Sequence, residues 1–516
     1  MVKNIQDKSQ IKIGVVLSYV QIGLNMIIQL AYTPIMIRLL GKSEYGLYNL
    51  VGSVVSYLSL FSLGFTGAYL RFSSIKKKTC DQSEIASFNG MFLSLFLLLG
   101  AIALICGLTL SLFSDQIFGN ELSAHELSTA KTLMIILVIN VAMSFPSSVF
   151  NSMITAEECF LFQRLVTLIG TLANPMVTLP LLLAGYGSVA VVLVTTIITI
   201  FQLCFNMIYC FVRIKVPICF KNFDMSLLKE MGVFSFFIFL NMVVNQANWS
   251  VDKIILGREL GTDSVAEYGV GSQINSMIIN FSTAISSVFA PQINRIAVNS
   301  EHKERDFTNL FIKVGRIQFM VVFLVTSGFI FFGRYFINNI YAGKGYEVSY
   351  YVALCLIIPE LVPLIQNTGI EIQRSVNKHK FRSVVYSIMA LINIVISIFL
   401  ARAYGPVGAA LGTSISLILM NIIAMNIYYE KSIGIGIKEF WGNIISLFKV
   451  LLPAMLVGLI MMYCQFKYEI SIVFYILFIM LYSLIYFVLL FKFGMNANEK
   501  GYVKEILRKF HVGCRA

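Results

Sequence analysis

The sequence predicts an all-helical integral membrane protein with about 14 transmembrane helices, and two observations support this fold class. Of the 516 residues, 58% are hydrophobic and 13% are charged, whereas a soluble globular protein carries charge on about a quarter of its residues. Apolar stretches long enough to cross a bilayer also recur along the chain without a soluble domain between them. Too little polar surface is left to cover a water-soluble body, so apolar residues must face lipid.

Fourteen apolar stretches, numbered spans 1 to 14, have the length that a bilayer-crossing helix needs. They are 13–36, 46–70, 88–113, 131–153, 164–185, 187–212, 231–256, 265–290, 310–333, 347–370, 383–402, 406–429, 444–464 and 470–493. The connections are short. The longest polar ones, 71–87, 213–230 and 291–309, have room for small surface helices but not for domains.

The distribution of the 39 Lys and Arg residues predicts the orientation of these spans. The N-terminus, the even-numbered connections and the C-terminal tail carry 30 of them, and the opposite side carries nine. By the positive-inside rule both termini face the cytoplasm, and the span count is even. The run Lys76-Lys77-Lys78 is either part of this signal or a site that attracts anionic lipid. The net charge of +13 therefore indicates a membrane surface, and we expect no nucleic-acid partner.

A weak internal repeat predicts the domain organisation. The residues 24–29 (LNMIIQ) match 240–245 (LNMVVN), and Glu44-Tyr45-Gly46 matches Glu267-Tyr268-Gly269. Both copies begin on the cytoplasmic side, which predicts two parallel six-helix lobes around a central cavity. The predicted parts are an N-lobe at 1–212, a connection at 213–230, a C-lobe at 231–430, spans 13 and 14 at 431–493, and a basic tail at 494–516.

Polar side chains form matching stripes in spans 1 and 7. Their members are Gln21, Asn25, Gln29 and Tyr32 in span 1, and Asn241, Asn245, Asn248 and Asp252 in span 7. Spacings of three and four residues place each set on one helical face. Amides facing lipid are unfavourable, so each stripe either lines a water-filled cavity or forms hydrogen bonds between packed helices.

An acid deep in span 10 is a candidate for coupling or gating. Glu360 lies about 20 Å along that helix, at 1.5 Å per residue. The flanking Pro359 and Pro363 are expected to break the helix. Glu360 is either a functional acid or one partner of a structural ion pair.

Charged residues near the ends of the proposed cavity have two interpretations. Arg38 and Lys253 at the outer end, and Arg71 and Arg374 at the inner end, are candidates for holding phosphate. Each taken alone also fits a cation that snorkels to the lipid headgroups. Asp252, which adjoins Lys253, fits an ion pair at the membrane interface.

The sequence contains no arrangement of residues typical of an enzyme or a metal site. Its nine cysteines form no CxxC pair, and its four histidines are far apart. P-loop, HExxH and GxSxG motifs are absent from the sequence. We therefore expect a transporter without a cofactor or metal, with H⁺ or Na⁺ as possible coupling ions.

Several short motifs resemble a known family. Arg38-Leu39-Leu40-Gly41, residues 44–48 (EYGLY) and Gly64 are similar to the opening of the Wzx-type polysaccharide flippases, which belong to the multidrug/oligosaccharidyl-lipid/polysaccharide exporter superfamily. Residues 252–257 (DKIILG) and 267–269 (EYG) resemble that family's helix 7–8 region. The resemblance covers nearly the whole chain.

The resemblance implies a V-shaped bundle in the bacterial cytoplasmic membrane. The bundle would move an undecaprenyl-pyrophosphate-linked oligosaccharide from the inner to the outer leaflet by alternating access, with spans 13 and 14 near the lipid tail. The span 1 and 7 stripes would contact the glycan, and Arg38, Arg71 and Lys253 the phosphate. The implied partners are the polyprenyl-linked oligosaccharide, membrane lipids and other polysaccharide assembly proteins.

Three alternatives remain open from the sequence. No arginine lies at mid-depth in the spans, which leaves another phosphate-linked glycolipid open as the substrate. The runner-up function is an ion-coupled drug or metabolite exporter of the same superfamily. A membrane glycan polymerase or ligase is disfavoured, because the outer connections are short and sparsely charged.

Overall fold

The computed structural model describes residues 2–79, 81–119, 121–378, 380–468, 470–501 and 503–505, and they fold into helices joined by short connections. The α-helices are α1 (Val2–Leu40), α2 (Lys42–Ser56), α3 (Phe65–Thr79), α4 (Gln82–Leu112), α5 (Ser114–Phe118), α6 (Ala124–Ala156), α7 (Phe160–Leu183), α8 (Gly187–Ile208), α9 (Met225–Leu260), α10 (Thr262–Ser287), α11 (Ala290–Asn299), α12 (Lys303–Tyr335), α13 (Glu347–Ile365), α14 (Thr368–Ser375), α15 (Lys380–Leu417), α16 (Met425–Tyr428), α17 (Ile437–Lys467) and α18 (Ile472–Leu489). The all-helical fold class is therefore confirmed. The end of the basic tail, from residue 506, lies outside the described residues.

Among the described residues, 11 helices are long and apolar enough to cross a membrane. The number is 12 if the bent pair Met225–Val233 and Ile238–Leu260 forms one span. The predicted count of 14 is not confirmed. Predicted spans 11 and 12 share one stretch, Lys380–Ile433, with a kink at Gly405, where φ is 62°. Span 8 corresponds to α10, which is outside the counted set.

The chain divides into two compact units. Unit 1 contains Met1–Gly269 and Ala390–Gly412, and unit 2 contains Val270–Met389 and Thr413–Ala516. The lobe boundaries predicted from the repeat, and the cavity predicted between the lobes, stay predictions.

In unit 1, helices pack closely where the sequence repeats its Glu-Tyr-Gly motif. The helices α4 and α8 both pack on α6, and α1 packs on α7. A Cβ atom added to Gly46 would lie 1.9 Å from the carbonyl oxygen of Thr262, and one added to Gly269 would lie 3.3 Å from the side chain of Asn49. The two glycines of the repeated motif therefore permit close approach of α2 to α10.

Unit 2 is built around α12, which packs against α13 and α17. The helix α18 presents Tyr475, Tyr482 and Tyr486 to α12, and all three are buried. Their hydroxyls donate hydrogen bonds to the Phe332 carbonyl (3.1 Å), the Ser327 hydroxyl (2.7 Å) and the Met320 carbonyl (2.9 Å). Because buried tyrosine hydroxyls need partners, this row fixes both the rotation and the depth of α18.

The predicted helix break around Glu360 is wrong, because α13 runs through both Pro359 and Pro363. Proline at position 359 removes the N–H that would bind the carbonyl of Cys355, four residues earlier. The hydroxyl of Ser414 donates a hydrogen bond to that carbonyl instead. A neighbouring segment thus supplies the missing donor, which allows a proline inside a membrane helix.

Candidate functional site

The predicted stripe of span 1 lies on the last five turns of α1. The side-chain oxygen of Gln21 accepts a hydrogen bond from Arg164 of α7 at 3.2 Å. Asn25 is exposed, and Gln29 and Tyr32 are half-buried. One end of the stripe therefore joins two helices, whereas Asn25 faces away from the packed protein. Whether the stripe lines a cavity stays a prediction.

The predicted stripe of span 7 lies on α9. The side chain of Asn241 is outside the described residues, Asn245 is exposed and Asn248 is half-buried. The neighbouring Gln246, which is not in the predicted stripe, donates hydrogen bonds to the hydroxyls of Ser56 and Ser250. The polar surface of α9 is therefore partly used for packing inside unit 1.

Asp252 and Lys253 are both bonded inside unit 1. Asp252 is buried, and its carboxylate accepts a hydrogen bond from the Tyr268 hydroxyl at 2.6 Å. The ammonium of Lys253 donates to the Asn49 side chain at 3.3 Å. Tyr268 belongs to the second copy of the Glu-Tyr-Gly motif, so the motif anchors the acid that the sequence singled out.

The three arginines proposed for phosphate are exposed. Arg38 is at the end of α1, and Arg71 in α3 lies near the ring of Phe72, with 5.7 Å from the guanidinium carbon to the ring centre. Arg374 forms an ion pair with Glu371 at 2.8 Å. Exposure fits both phosphate binding and snorkelling to headgroups, so neither interpretation is tested.

Acids connect the helix ends that the predicted topology places on the outer side of the membrane. Glu126 accepts hydrogen bonds from the hydroxyls of Ser43 (2.5 Å) and Thr262 (2.8 Å). Glu44 accepts one from the backbone N–H of Ser188 at the start of α8, at 2.7 Å. Glu267 pairs with Lys42, also at 2.7 Å. These contacts hold the ends of α2, α6, α8 and α10 together.

Glu360 is buried in α13, with 9% of its surface exposed. Its Oε2 atom has no hydrogen-bond partner in the described part of the chain. The nearby ionisable groups that influence it are the Arg382 guanidinium and the Tyr386 phenol of α15. Arg382 donates a hydrogen bond to the Tyr386 hydroxyl at 2.5 Å and not to Glu360 Oε2. The carboxyl group is thus near a cation without being neutralised by a direct contact.

A polar cavity of about 310 Å³ lies between α6, α7 and α8 in unit 1. Apart from Val166, the residues lining it carry amide or hydroxyl groups. They are Asn140, Ser144, Ser147, Ser148, Asn151, Gln163, Thr167, Thr199, Gln202 and Asn206. A concentration of neutral polar groups inside helices of this apolarity is costly unless a ligand or water contacts them, which makes the cavity a candidate binding site.

Part of the cavity wall is held by hydrogen bonds, and part is not. Asn140 donates to the Thr199 hydroxyl at 3.0 Å, and Gln163 donates to the Asn151 side chain at 2.7 Å. By contrast, Gln202 and the buried Asn206 make no hydrogen bond with the described part of the chain. The lining therefore contains some side chains that are fixed by hydrogen bonds and two amides that are not.

The cavity was not predicted from the sequence, although the spacing of polar residues in α6 and α8 indicates it. In α6, Asn140, Ser144, Ser147 and Asn151 have spacings of four, three and four residues. In α8, Thr199, Gln202 and Asn206 have spacings of three and four residues. Polar residues spaced by three and four positions, the criterion applied to spans 1 and 7, also occur in α6 and α8. The internal sequence repeat, however, matches only the stripes of spans 1 and 7 to each other.

Comparison with known protein families shows the family of this chain. Residues 12–297, which are more than half of it, match the model of a family described as polysaccharide biosynthesis proteins. The chain belongs to this family. Two relatives also match this chain over most of their own length. The chain is 20% identical to a "Putative O-antigen transporter" of Shigella flexneri, over 76% of this chain and 91% of that protein. A protein of the same description from Salmonella typhi is 23% identical, over 78% and 92%.

Solved structures of transporters have the same fold. One described as "Lipid II flippase MurJ, inward closed conformation" matches with a TM-score of 0.72 at 17% identity, covering 92% of this chain and 97% of that one. A multidrug resistance MATE family transporter in its inward-facing conformation matches with a TM-score of 0.63 at 15% identity, covering 80% and 96%. The family member described here therefore has the architecture of multi-pass membrane transporters.

Proposed function

We propose that this protein is a flippase for a lipid-linked oligosaccharide in the export of cell-surface polysaccharide. It moves an undecaprenyl-(pyro)phosphate-linked glycan from the cytoplasmic to the outer leaflet of the bacterial cytoplasmic membrane by alternating access. Both termini face the cytoplasm. The observation that carries this proposal is family membership over residues 12–297, combined with relatives described as O-antigen transporters that match over 91% and 92% of their own length.

The side chains in the membrane helices support a substrate with a hydroxyl-rich headgroup. The cavity between α6, α7 and α8 carries amides and hydroxyls but no charged group. Arg38 in the last turn of α1 and Arg71 in the middle of α3 are both exposed, so a phosphate of the lipid headgroup can reach them. A polar headgroup can thus pass along protein while its polyprenyl chain stays in lipid.

Glu360 supports coupling to an ion gradient. A buried carboxyl group with a free oxygen changes charge when it gains or loses a proton, and the change alters its attraction to Arg382. We assign H⁺ as the first coupling ion to test and Na⁺ as the second. The protein itself requires no cofactor for this cycle.

The test is transfer between leaflets in proteoliposomes that contain the purified protein and a fluorescent lipid-linked oligosaccharide. We expect protein-dependent exposure of the headgroup to a membrane-impermeant quencher. Liposomes without protein measure spontaneous transfer. Imposed H⁺ and Na⁺ gradients of both signs separate coupling from the transfer itself.

The second candidate is an ion-coupled exporter of small molecules, which the MATE-like fold and the buried Glu360 favour. If folded protein transfers no glycolipid under any gradient but moves a cationic dye, the exporter replaces the flippase. Release of a sugar chain from its lipid in the same assay would instead indicate a glycan-transferring enzyme.

A further inference from the structure

We propose that the cavity between α6, α7 and α8 binds a sugar unit of the transported glycan. This inference rests on the proposed flippase function and assigns part of substrate recognition to a site inside unit 1. It places glycan binding on α6 and α8, in addition to the stripes predicted in spans 1 and 7.

The chemistry of the wall matches a sugar. Asn and Gln amides both donate and accept hydrogen bonds, and Ser and Thr hydroxyls do the same. The hydroxyls of a sugar ring have this dual character as well. Among the described residues, no Asp, Glu, Lys or Arg side chain lines the cavity, so a neutral polar ligand can bind there without leaving a buried charge unpaired.

Two amides in the lining are available to bond a ligand. Asn206 has 7% of its surface exposed, lines the cavity and makes no hydrogen bond with the described residues. Gln202, one turn away, is also free of such bonds. A Cβ atom on Gly170 would lie 2.2 Å from Nε2 of Gln202, so the glycine of α7 makes room for this amide. Both amides are accessible from the cavity, so ligand hydroxyls can form the hydrogen bonds that the described residues do not supply.

Two other ligand classes fit less well. A monovalent cation needs oxygen ligands, whereas Asn206 and Gln202 also present N–H donors, and no carboxylate lines the cavity. The volume of about 310 Å³ also exceeds what an ion needs and falls at the lower end of small-molecule sites. A lipid tail or an apolar drug requires a mainly apolar wall, whereas the described lining exposes somewhat more polar than apolar surface.

The position of the cavity fits loading from the cytoplasm. Its wall on α6 extends from Asn140 to Asn151, which is about 16 Å along the helix. In the predicted topology the Asn151 end is the cytoplasmic one. A headgroup that arrives in the inner leaflet therefore reaches the Asn151 end before the Asn140 end.

The test measures binding without transport. Mild acid releases the free oligosaccharide from the lipid-linked oligosaccharide used in the proteoliposome assay, and calorimetry measures its affinity for the purified protein in detergent. We expect the dissociation constant of Asn206→Leu to be at least about tenfold higher than that of the unaltered protein, from the loss of one or two hydrogen bonds. Because Asn206 has no partner to lose, the melting temperature should stay the same or rise.

Two further variants control the measurement. Gln202→Ala should also weaken binding, and it keeps the test valid if Asn206→Leu fails to fold. Asn174→Ala is the matched control. The Asn174 amide of α7 donates a hydrogen bond to the Thr195 hydroxyl of α8 at 3.0 Å, but Asn174 is not part of the cavity lining. The affinity of this variant for the oligosaccharide should equal that of the unaltered protein.

Equal affinity in the unaltered protein, Asn206→Leu and Gln202→Ala would overturn the sugar site. So would stabilisation by NaCl but not choline chloride that disappears in Asn206→Leu, because that result assigns the cavity to an ion. Binding that depends on Asn206, in a protein that transfers no glycolipid, would support the site and overturn the flippase. Transfer of the glycolipid, together with unchanged oligosaccharide affinity in Asn206→Leu and Gln202→Ala, would support the flippase and overturn the sugar site.

Discussion

Two charged residues buried in unit 2 have opposite surroundings. Arg316 in α12 is 6% exposed, and its guanidinium donates hydrogen bonds to both oxygens of Glu499 (2.8 and 2.9 Å), the carbonyl of Gly494 and the side chain of Asn496 (both 2.9 Å). Glu360 in α13 is 9% exposed, yet its Oε2 has no hydrogen-bond partner among the described residues. Burial is thus common to the two residues, whereas the completeness of their hydrogen bonding differs.

The bonding predicts different roles for the two residues. Arg316 joins α12 to the segment that follows α18, and every partner is in place, so its role is to hold unit 2 together. Glu360 keeps an unused oxygen near Arg382, and its charge can change without breaking a hydrogen bond to that oxygen. Replacing the first should reduce stability, and replacing the second should reduce transport.

The largest effect on stability is expected for Arg316→Ala. Removing Arg316 leaves the Glu499 carboxylate buried without its counter-ion, with one hydrogen bond from the Asn496 backbone N–H, and breaking such a buried pair costs about 3–5 kcal/mol. We expect a clear fall in melting temperature in detergent. The double variant Arg316→Met with Glu499→Leu should recover most of the loss, because it removes both charges.

The ion pair between Arg305 and Glu439 is the matched control for that experiment. Its distance of 3.1 Å is similar, but the two side chains are 66% and 45% exposed. Exposed pairs contribute about 0–1 kcal/mol, so Arg305→Ala should change the melting temperature little. Equal losses in Arg305→Ala and Arg316→Ala would contradict the structural role of Arg316.

For Glu360 we expect transport to be lost while the fold is kept. Glu360→Ala should reduce leaflet transfer to the level of protein-free liposomes, and Glu360→Gln should do the same because it cannot release a proton. The melting temperature of Glu360→Gln should not fall, since no hydrogen bond to Oε2 is removed. Wild-type transfer in either variant would remove Glu360 from the mechanism.

The smallest effect is expected for an exposed but bonded acid. Asp224 caps the start of α9, where its carboxylate accepts hydrogen bonds from the Ser226 hydroxyl (2.7 Å) and the backbone N–H of Leu227 (3.0 Å). These bonds hold the pKa of Asp224 below its ordinary value. Asp224→Ala should cost about 1 kcal/mol.

The pH dependence of this cap has a definite sign. Because the folded pKa is lowered, the contribution is present above the ordinary pKa of 3.8 and disappears as pH falls through the folded value. Melting curves of the two proteins should therefore differ at pH 7 and converge in acid. A difference that persists below the folded pKa would mean that the carboxylate charge is not what stabilises the helix start.

The sequence predicts some polar residues of the membrane helices but not the partners that they bond. The position of Glu360 was predicted, because an acid in the middle of an apolar run is visible without a structure. In the sequence, Arg316 is only one of 30 cations on the predicted cytoplasmic side, since its partner Glu499 is 183 residues away. The stripe on α1 was recognised by its spacing, yet the bond between Gln21 and Arg164 depends on how α1 packs against α7.

The sequence by itself determined the helical membrane class, because composition and the length of apolar runs decide what lipid can accept. It also carried the family motifs. The tertiary structure decided which polar groups meet. It supplied Ser414 to the carbonyl freed by Pro359, and so kept α13 continuous. It also brought α6, α7 and α8 together around a cavity whose free amides no single helix reveals. The physical reason is that spacing along one helix states which side chains share a face, whereas a hydrogen bond or a cavity depends on the helix opposite.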